Sequence, residues 1–586
     1  MRGLTRRWVL HEAAEPPQEL SAMNLPPLLE RILLSRGLTD ASDVQRFCEP
    51  KLTDLHDPSL MPNLDLAAER LIEAVRGDRS IVIYGDYDVD GIAATAILFH
   101  TIKTVAPEAR LKRYVPHRLE EGYGLKSEAM KKIAGAGADL LVTVDCGITA
   151  AAEAAVARDL GLDLIITDHH NLPAEGQPLP EAILVHPRLP GSRYPFGDLC
   201  GAGVAFKLAW RFATAWCNSQ RVSESLQKTL LEMLPLAALG TIADVVPLVG
   251  ENRIITSYGL RLIKQTSLTG LQALIEASDL TGENIDSEKV GFILAPRLNA
   301  CGRMGHAAEA VRLLTDAPAE EATSIARRLV QLNRQRQRTE RMIFEQAASR
   351  AEDSGMTGSD RRAIVLADPS WHPGVVGIVC SRLVERFGRP AVLMQRQPEL
   401  CKGSGRSIDG YSIHDALMTC ADYLTTFGGH DMAAGLTLAT DRLDAFTESF
   451  IEHANAHIAI EQLTPAIAID CDASLTELDF PTVRRITTLS PFGRANHRPT
   501  VRIRGATLFE APRQIGAHGR HLSLRFRQDD GERRRVIRCV WWGAGSLAGD
   551  LAAGMRLDAA IEPKLNEFNG RVSVEAQIRD VMVKEA

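Results

Sequence analysis

Three aspartates stand at every second position directly after a short apolar run. Asp86, Asp88 and Asp90 follow residues 81–84, a run that is typical of a buried strand. Side chains two positions apart in an extended chain point the same way, so the three carboxylates face one side and repel one another. A bound cation would stabilise them. The alternative is a solvated turn, because Asp and Gly are common turn residues.

Acidic residues also follow the next apolar runs. Asp145 ends the second run, and Asp168, His169 and His170 end the third. Because ligands bind at the carboxyl ends of parallel strands, we expect five Asp and two His in one crevice. Asp244 is flanked by apolar residues. A buried carboxylate without a partner is costly, so we expect Asp244 to be buried beside the same cation.

This set of donors selects among metals. Carboxylate oxygens with one or two imidazoles and no thiolate suit Mn²⁺ or Mg²⁺ better than Zn²⁺. The ten cysteines form no CxxC pair, so we expect reduced, packed thiols and neither a zinc site nor disulfides. So many acids suggest two ions roughly 3.5–4 Å apart, an arrangement that activates water and stabilises both oxygens of a phosphoryl transfer. The sequence therefore predicts phosphoester hydrolysis.

Short apolar strands alternate with helices around these residues, which indicates a parallel sheet covered on both faces. A second α/β unit begins near residue 363, and short alternating runs after residue 467 predict a small OB-like β-barrel. The predicted fold class is α/β. The predicted ranges are an N-terminal lead-in segment that packs on the domain after it (1–60), an α/β domain (61–250), a helical connector (251–350), a second α/β domain (351–460) and a nucleic-acid-binding barrel (465–586).

The composition is that of a soluble globular enzyme. Hydrophobic residues make up 45% and charged residues 24% of the 586 residues, which excludes a mainly disordered, collagen-like or coiled-coil chain. The N-terminal arginines precede no apolar run, so no secretory signal is expected. The most apolar stretch, residues 230–249, contains charges and prolines that argue against a membrane span. We expect a cytoplasmic protein.

The acidic motifs resemble those of the DHH phosphoesterase superfamily. They are Asp88-Val89-Asp90-Gly91, Asp145 in Val-Asp-Cys-Gly, Asp168-His169-His170 and Asp244. The second α/β unit resembles the accompanying DHHA1 domain through Ser404-Gly405-Arg406-Ser407 and Gly428-Gly429-His430. The chain length, residues 297–304 and the barrel narrow the resemblance to bacterial single-strand-specific 5′→3′ DNA exonucleases.

The resemblance implies a role for each matching residue. The metal ligands would be Asp88, Asp90, Asp145, His169 and Asp244, with Asp86 as a supporting or additional ligand. His170 and Arg303 would contact the scissile phosphate, and Arg118, Ser404 and Arg406 would bind the 5′-terminal phosphate. Two positions depart from the family pattern: Ala495 stands where Gly is frequent, and His186 where Asn is usual.

Residue types alone leave the phosphate contacts open. Arg118 beside a Gly-rich segment suits a phosphate but could be a surface arginine. Residues 404–407 could form a phosphate nest or a strand-end turn. His430 could approach the substrate or cap a preceding helix with Gly428.

Arginines are concentrated in two places although the net charge is −7. Six crowd one predicted helix, as a solvated face or as a lining for the DNA strand: Arg327, Arg328, Arg334, Arg336, Arg338 and Arg341. Residues 501–540 hold ten arginines, no lysine and four acids. With Phe526, Trp541 and Trp542 nearby, this composition suits stacking on a single strand. Alternation along the strands places Phe526 and one Trp in the core.

These observations favour a metal-dependent exonuclease that releases 5′-mononucleotides from single-stranded DNA, in DNA repair and recombination. One alternative is a DHH phosphoesterase acting on short oligonucleotides or small phosphate esters. Another is a non-catalytic DNA-binding scaffold, although every metal-motif position retains an acid or imidazole. The resemblance also implies docking to single-stranded DNA-binding protein, and nothing in the sequence demands more than a monomer.

Overall fold

The computed structural model describes residues 1–11, 17–118, 120–530, 533–568 and 570–583. The chain forms two compact units. We call Pro50–Gln337 with Pro491–His497 the parallel-sheet unit, and Met1–Glu49, Arg338–Ser490 and Arg498–Ala586 the barrel unit.

The N-terminal segment belongs to the barrel unit up to Glu49. Its elements are β1 (Arg7–Leu10), α1 (Gln18–Ser21), α2 (Pro27–Ser35) and α3 (Ala41–Cys48). Strand β1 pairs in parallel with Ala466–Ile469, and the Trp8 indole N–H donates to the buried carboxylate of Asp580 at 2.8 Å. The prediction that this segment packs on the domain after it is therefore wrong for residues 1–49, because its apolar strand and Trp8 find their buried partners near the C-terminus.

The parallel-sheet unit contains the first predicted sheet. Its elements are α4 (Leu64–Arg76), β2 (Ile81–Gly85), α5 (Val89–Val105), β3 (Leu111–Tyr114), α6 (Ser127–Gly135), β4 (Leu140–Val144), α7 (Ala151–Asp159), β5 (Asp163–Thr167) and β6 (Ile183–Val185). The strands are parallel in the order β3-β2-β4-β5-β6. Every residue of β2 and β4 is buried, which explains their uninterrupted apolar sequences. The edge strand β3 was not predicted, because Lys112 and Arg113 interrupt its apolar pattern.

Helices complete this unit and cover α5. They are α8 (Gly201–Trp216), α9 (Glu224–Ala243), α10 (Gly250–Leu262), α11 (Thr269–Ala277), α12 (Ser287–Lys289), α13 (Ala295–Met304) and α14 (Ala308–Thr315), with a π-helical turn at Val290–Leu294. Helix α5 is apolar all round and almost wholly buried, as expected of a helix enclosed by other helices. Its start, at the end of β2, is thereby fixed in place.

A long helix, α15 (Ala319–Asp353), carries the six crowded arginines as predicted. The next elements are β7 (Ile364–Asp368), α16 (Pro373–Phe387), β8 (Ala391–Arg396), β9 (Leu400–Arg406), α17 (Ile413–Thr419), β10 (Thr426–His430), β11 (Ala433–Ala439) and α18 (Leu443–His457). The five strands form a sheet in the order β10-β11-β9-β8-β7, so the second predicted α/β fold is confirmed.

The C-terminal strands close into the predicted barrel. The elements are β12 (Ala466–Ile469), β13 (Cys471–Ala473), α19 (Phe480–Ile486), β14 (Val501–Leu508), β15 (Arg513–Ile515), β16 (His521–Asp530), β17 (Arg533–Trp541), β18 (Arg556–Phe568) and β19 (Arg571–Val583). Pairing of β14 with both β16 and β18 closes a ring of five strands, β14-β18-β19-β17-β16. Phe526 and Trp541 are buried, whereas Trp542 is 51% exposed, which confirms the core assignment made from alternation.

Two findings bear on the compositional expectations. All ten cysteines are free thiols, and eight of them are buried. In the described part of the chain, no helix combines the length and apolar character needed to cross a membrane.

A buried ion pair on α8 generates a stability prediction. Lys207 and Glu251 are almost fully buried and lie 2.5 Å apart, and Glu251 also accepts hydrogen bonds from the Tyr194 hydroxyl and the His56 N–H. The substitution Glu251→Ala leaves an unpaired buried ammonium and is expected to lower the free energy of unfolding by about 3–5 kcal/mol. Urea unfolding measures this loss. The double variant Lys207→Met, Glu251→Gln should lose less, and equal losses would contradict the explanation by uncompensated charge.

Candidate metal centre

The predicted acidic residues meet at the carboxyl end of the parallel sheet, where β2 and β4 lie side by side and the order of strands reverses. Asp86 directly follows β2. Asp88 caps α5 by accepting hydrogen bonds from the N–H groups of Asp90 and Gly91 at 2.9 and 3.2 Å. A carboxylate at this place also interacts favourably with the dipole of the helix.

Helix α8 holds the next carboxylate, that of Asp90. The N–H groups of Gly201 and Ala202 donate to its two oxygens at 2.6 and 2.8 Å. Asp145 follows β4 with a φ of +63°, a conformation that non-glycine residues seldom adopt. A Cβ on Gly201 would lie 2.5 Å from the Cβ of Asp145, so only glycine lets α8 approach both carboxylates.

The predicted ligands form three groups that could hold a metal ion, in each of which the donor atoms lie within 4.8 Å of one another. The groups are Asp86, Asp88 and Asp145; Asp90, His169 and Asp244; and Asp145, His169 and His170. His169 Nε2 is 3.2 Å from Asp145 Oδ1 and 3.6 Å from Asp244 Oδ2. Because the groups share Asp145 and His169, they are parts of one centre.

Burial and mutual repulsion make this centre unfavourable for bare carboxylates. Loss of solvation, followed by repulsion from Asp88, raises the pKa of Asp90 to about 6. The same two effects, with repulsion from Asp90 first, raise the pKa of Asp244 to about 8. Burial lowers the pKa of His169 to about 3, so its imidazole is neutral and retains a lone pair. These are the protonation properties of groups awaiting a cation.

Hydrogen bonding supports the same interpretation. Asp86 Oδ1, Asp145 Oδ1 and His169 Nε2 are buried and have no hydrogen-bond partner in the described structure. Unsatisfied buried polar atoms are costly unless an ion is bound. Hard oxygens with one imidazole suit Mn²⁺ or Mg²⁺, so the residues fit the predicted metals.

Asp244 differs in part from its prediction. It lies at the C-terminal end of α9, and its side chain is 24% exposed. The flanking apolar residues do not enclose it, because Val245 turns outward with 58% of its surface exposed. Asp244 therefore reaches the centre from its open side.

Asp168, pooled with the other acids in the sequence analysis, serves a different purpose. Its buried carboxylate accepts hydrogen bonds from the N–H groups of Ile148, His169 and His170, and from His170 Nδ1 at 2.8 Å. Although burial alone would raise it, the pKa of Asp168 is held well below its usual range by His170. Burial opposes protonation of His170, yet the bond to Asp168 raises the pKa of His170 to about 9. Asp168 thus orients His170 and keeps it cationic.

Three residues that the sequence analysis did not assign to the site fix the same loop. The buried His186 bonds to the carbonyl of His170 through Nε2 at 2.8 Å and accepts from the Arg188 N–H through Nδ1 at 3.0 Å. The Arg188 guanidinium donates to the His169 carbonyl at 2.5 Å. The Tyr123 hydroxyl lies 3.0 Å from His170 Nδ1. The only signal for His186 in the sequence was its departure from the family pattern.

The two predicted arginines of this unit lie near the segment between Asp86 and Asp88. The Arg118 guanidinium stands over the Tyr87 ring, 4.7 Å from its centroid. Arg303 lies in the last turn of α13, where a Cβ on the preceding Gly302 would be 2.8 Å from the Tyr87 carbonyl oxygen. The structure therefore brings Arg118 and Arg303 to one side of the acidic cluster.

The other predicted phosphate contacts lie in the barrel unit. Ser404 and Arg406 are on β9 and face the start of α16, where a Cβ on Gly377 would be 3.3–3.4 Å from both side chains. His430 ends β10, which is separated from β9 by β11. The alternative role of His430 as a helix cap is wrong, because it lies in a strand. Residues 404–406 are likewise strand, with Arg406 at its end.

Comparison with protein families matches three regions of the chain. Residues 80–241 match the DHH family N-terminal domain, residues 360–456 the DHHA1 domain and residues 469–580 the RecJ OB domain. The single-stranded-DNA-specific exonuclease RecJ of Bacillus subtilis is 38% identical over 96% of this chain and 69% of its own length. The protein of the same name from Dickeya dadantii is 34% identical over 95% of this chain and 96% of its own.

Solved structures agree with the sequence comparisons. RecJ of Thermus thermophilus in complex with Mn²⁺ superimposes with a TM-score of 0.81 at 32% identity, covering 99% of this chain and 80% of the other. Its complex with Mg²⁺ gives a TM-score of 0.75 at 31% identity, covering 99% and 79%. These are the two metals that the donor set suits. With identities above 30% over almost the whole chain, this protein belongs to the RecJ family.

Proposed function

We propose that this chain is a metal-dependent exonuclease that degrades single-stranded DNA in the 5′→3′ direction and releases 5′-mononucleotides, in DNA repair and recombination. The observation that carries the proposal is the set of unpartnered donor atoms on Asp86, Asp145 and His169, in a chain related to single-stranded-DNA-specific exonucleases. A centre built to hold divalent ions is suited to phosphodiester hydrolysis.

The proposed metal ligands are Asp86, Asp88, Asp90, Asp145, His169 and Asp244. Bound as a pair, Mn²⁺ or Mg²⁺ ions supply Lewis acidity and an activated water at phosphorus. The N–H groups of Gly201 and Ala202 fix the orientation of Asp90, and the neutral imidazole of His169 offers its Nε2 lone pair. Preorganised ligands of this kind need little rearrangement during reaction.

His170 and Arg303 are proposed to stabilise the phosphate that is cleaved. His170 is cationic at neutral pH because of its bond to Asp168, and its ring lies 4.5 Å from that of His169, centroid to centroid. A protonated imidazole beside the metal ligands can donate a hydrogen bond to a non-bridging oxygen as charge develops there. Arg303, at the end of α13, would add a second donor.

The direction of degradation would follow from binding of the 5′ end. We propose that Arg118 of the parallel-sheet unit, and Ser404, Arg406 and His430 of the barrel unit, bind the 5′-terminal phosphate. Arg118 rests on an aromatic ring, and an arginine fork matches the geometry of a phosphate. A binding site for the chain end would make the enzyme cut from that end.

Single-strand binding is proposed for the barrel. Trp542 is 51% and Phe509 42% exposed, the former in edge contact with His521 and the latter under the guanidinium of Arg534. Exposed aromatic rings among arginines are suited to stacking bases of any sequence while neutralising the backbone. We also infer cytoplasmic action, given the reduced thiols, docking to single-stranded DNA-binding protein, a monomeric state, and domain limits near residues 60, 250, 350 and 460.

A single assay tests the proposed function. A long single-stranded DNA with a 5′-phosphate and a label at its 3′ end is incubated with Mn²⁺, beside duplex and 5′-blocked DNA and a chelator control. Metal-dependent shortening of only the open single strand is expected. Tight binding without cleavage would instead support a scaffold, and cleavage restricted to very short oligomers would support a small-substrate phosphoesterase.

Asp145 gives the sharpest test of the centre, since it belongs to two of the three ligand groups. Asp145→Ala is expected to lower the rate by more than about 1,000-fold, beyond the loss typical of one transition-state donor. Binding of single-stranded DNA in chelator should change little, because DNA contacts lie elsewhere. Calorimetric Mn²⁺ titration should show weaker binding. Equal losses of DNA affinity and rate would contradict the ligand role.

Asp168 is predicted to act through His170. Asp168→Asn keeps the size of the side chain but removes the charge that holds His170 cationic, so kcat should fall by about 10–100-fold, as is typical for groups that orient a metal site. Little change is expected in KM, because substrate contacts remain. Steady-state kinetics and a melting curve check this. A wild-type kcat, or a loss of activity explained by unfolding, would refute the assignment.

A further inference from the structure

A short loop from the C-terminal part of the sequence belongs to the parallel-sheet unit. Residues Pro491–His497 join this unit, although the residues on both sides belong to the barrel unit. Gly493 and Asn496 bond to each other through their backbones at 2.9 and 3.2 Å. The buried Asn496 side chain donates to the Pro491 carbonyl at 2.8 Å. The loop is therefore a closed turn with a defined backbone.

This loop grips the turn after the metal-ligand candidate Asp244. The Leu248 N–H donates to the Arg494 carbonyl at 2.8 Å, and Arg494 Nη1 donates to the Val245 carbonyl at 3.4 Å. Val245 has a φ of +59°, a strained conformation for a β-branched residue that persists only where the surroundings impose it. Arg494 is thus held, by two bonds, directly beside the open side of the centre.

The Arg494 guanidinium has capacity for another ligand. Arg494 is exposed, and its side chain makes a single hydrogen bond within the described part of the chain, to a neutral carbonyl. Its charge attracts the Asp244 carboxylate without forming a close ion pair in the described structure. A guanidinium has five N–H donors in a fixed fork, so most of them remain available next to the acidic cluster. The ligand that matches such a fork, at a centre that cleaves phosphodiesters, is a phosphate.

We infer that Arg494 is a further substrate-binding residue, which binds a backbone phosphate of the DNA strand on the Asp244 side of the metal centre. The inference rests on the proposed function and adds to it a cation from a segment that none of the phosphate-binding assignments includes. It also explains why the chain carries Pro491–His497 into this unit. An arginine there offsets the repulsion that a polyanionic strand meets near five carboxylates.

The test compares Arg494→Met with Arg494→Lys and with Arg158→Met. Arg158 is an exposed arginine on α7 that pairs with Glu181, so its variant changes the charge equally without touching the centre. Degradation of 5′-phosphorylated oligo(dT) in Mn²⁺ gives kcat and KM, and fluorescence anisotropy in chelator gives DNA affinity at several salt concentrations. Half-activating Mn²⁺ is measured for each variant.

For Arg494→Met we expect KM to rise about 10-fold, as for loss of one charge-assisted hydrogen bond. The slope of log affinity against log salt should shrink by about 0.7, the value for one phosphate contact on a single strand. Arg494→Lys should be intermediate, and Arg158→Met and the Mn²⁺ requirement should remain as in wild type. An unchanged KM and slope, or a raised Mn²⁺ requirement at constant KM, would overturn the inference. If the wild-type protein degrades no single strand, the proposed function itself fails.

Discussion

Repulsion among buried carboxylates is the constraint on which the rest of this structure depends. Asp86, Asp90 and Asp145 are each at most 3% exposed, and their charges crowd one edge of a sheet. In the absence of a cation, burial and mutual repulsion raise the pKa of every one of them. A fold keeps such a cluster only if something outside the polypeptide neutralises it, and divalent ions do so at the lowest cost in space. The large apolar core that encloses α5 offsets the remaining free energy.

The backbone, more than other side chains, solves the placement problem. Asp90 is held by the N–H groups at the start of α8, whereas Asp145 is turned inward by its own positive φ. Asp168 is bound by three backbone N–H groups and so points away from the ions toward His170. Each carboxylate is therefore oriented by the main chain, which leaves selected oxygens without partners. Those oxygens are the ones that a metal can use.

Much of the centre could be predicted from the sequence because it obeys local rules. Alternation placed Asp86, Asp88 and Asp90 at a strand end, and apolar runs located the strands of the sheet. Other features depend on contacts that are remote in sequence. The partner of β1 lies more than 450 residues away, and the loop at Pro491–His497 joins a unit that its neighbours do not. The separate task of Asp168 could not be predicted either, since type and spacing are the same for a carboxylate that binds an ion and one that orients a histidine.

The arginines around the centre show how an acidic metal site can attract an anion without being neutralised by its own protein. Arg118 rests on the Tyr87 ring, Arg188 bonds to the His169 carbonyl and Arg494 to the Val245 carbonyl. In each case the guanidinium is tied to a neutral group, and in the described structure none of the three forms a close ion pair with the cluster. A direct ion pair would occupy the oxygens that the ions need. Tethering to rings and carbonyls instead keeps the positive charge at the rim, where it lowers the electrostatic cost of bringing a phosphate to the carboxylates.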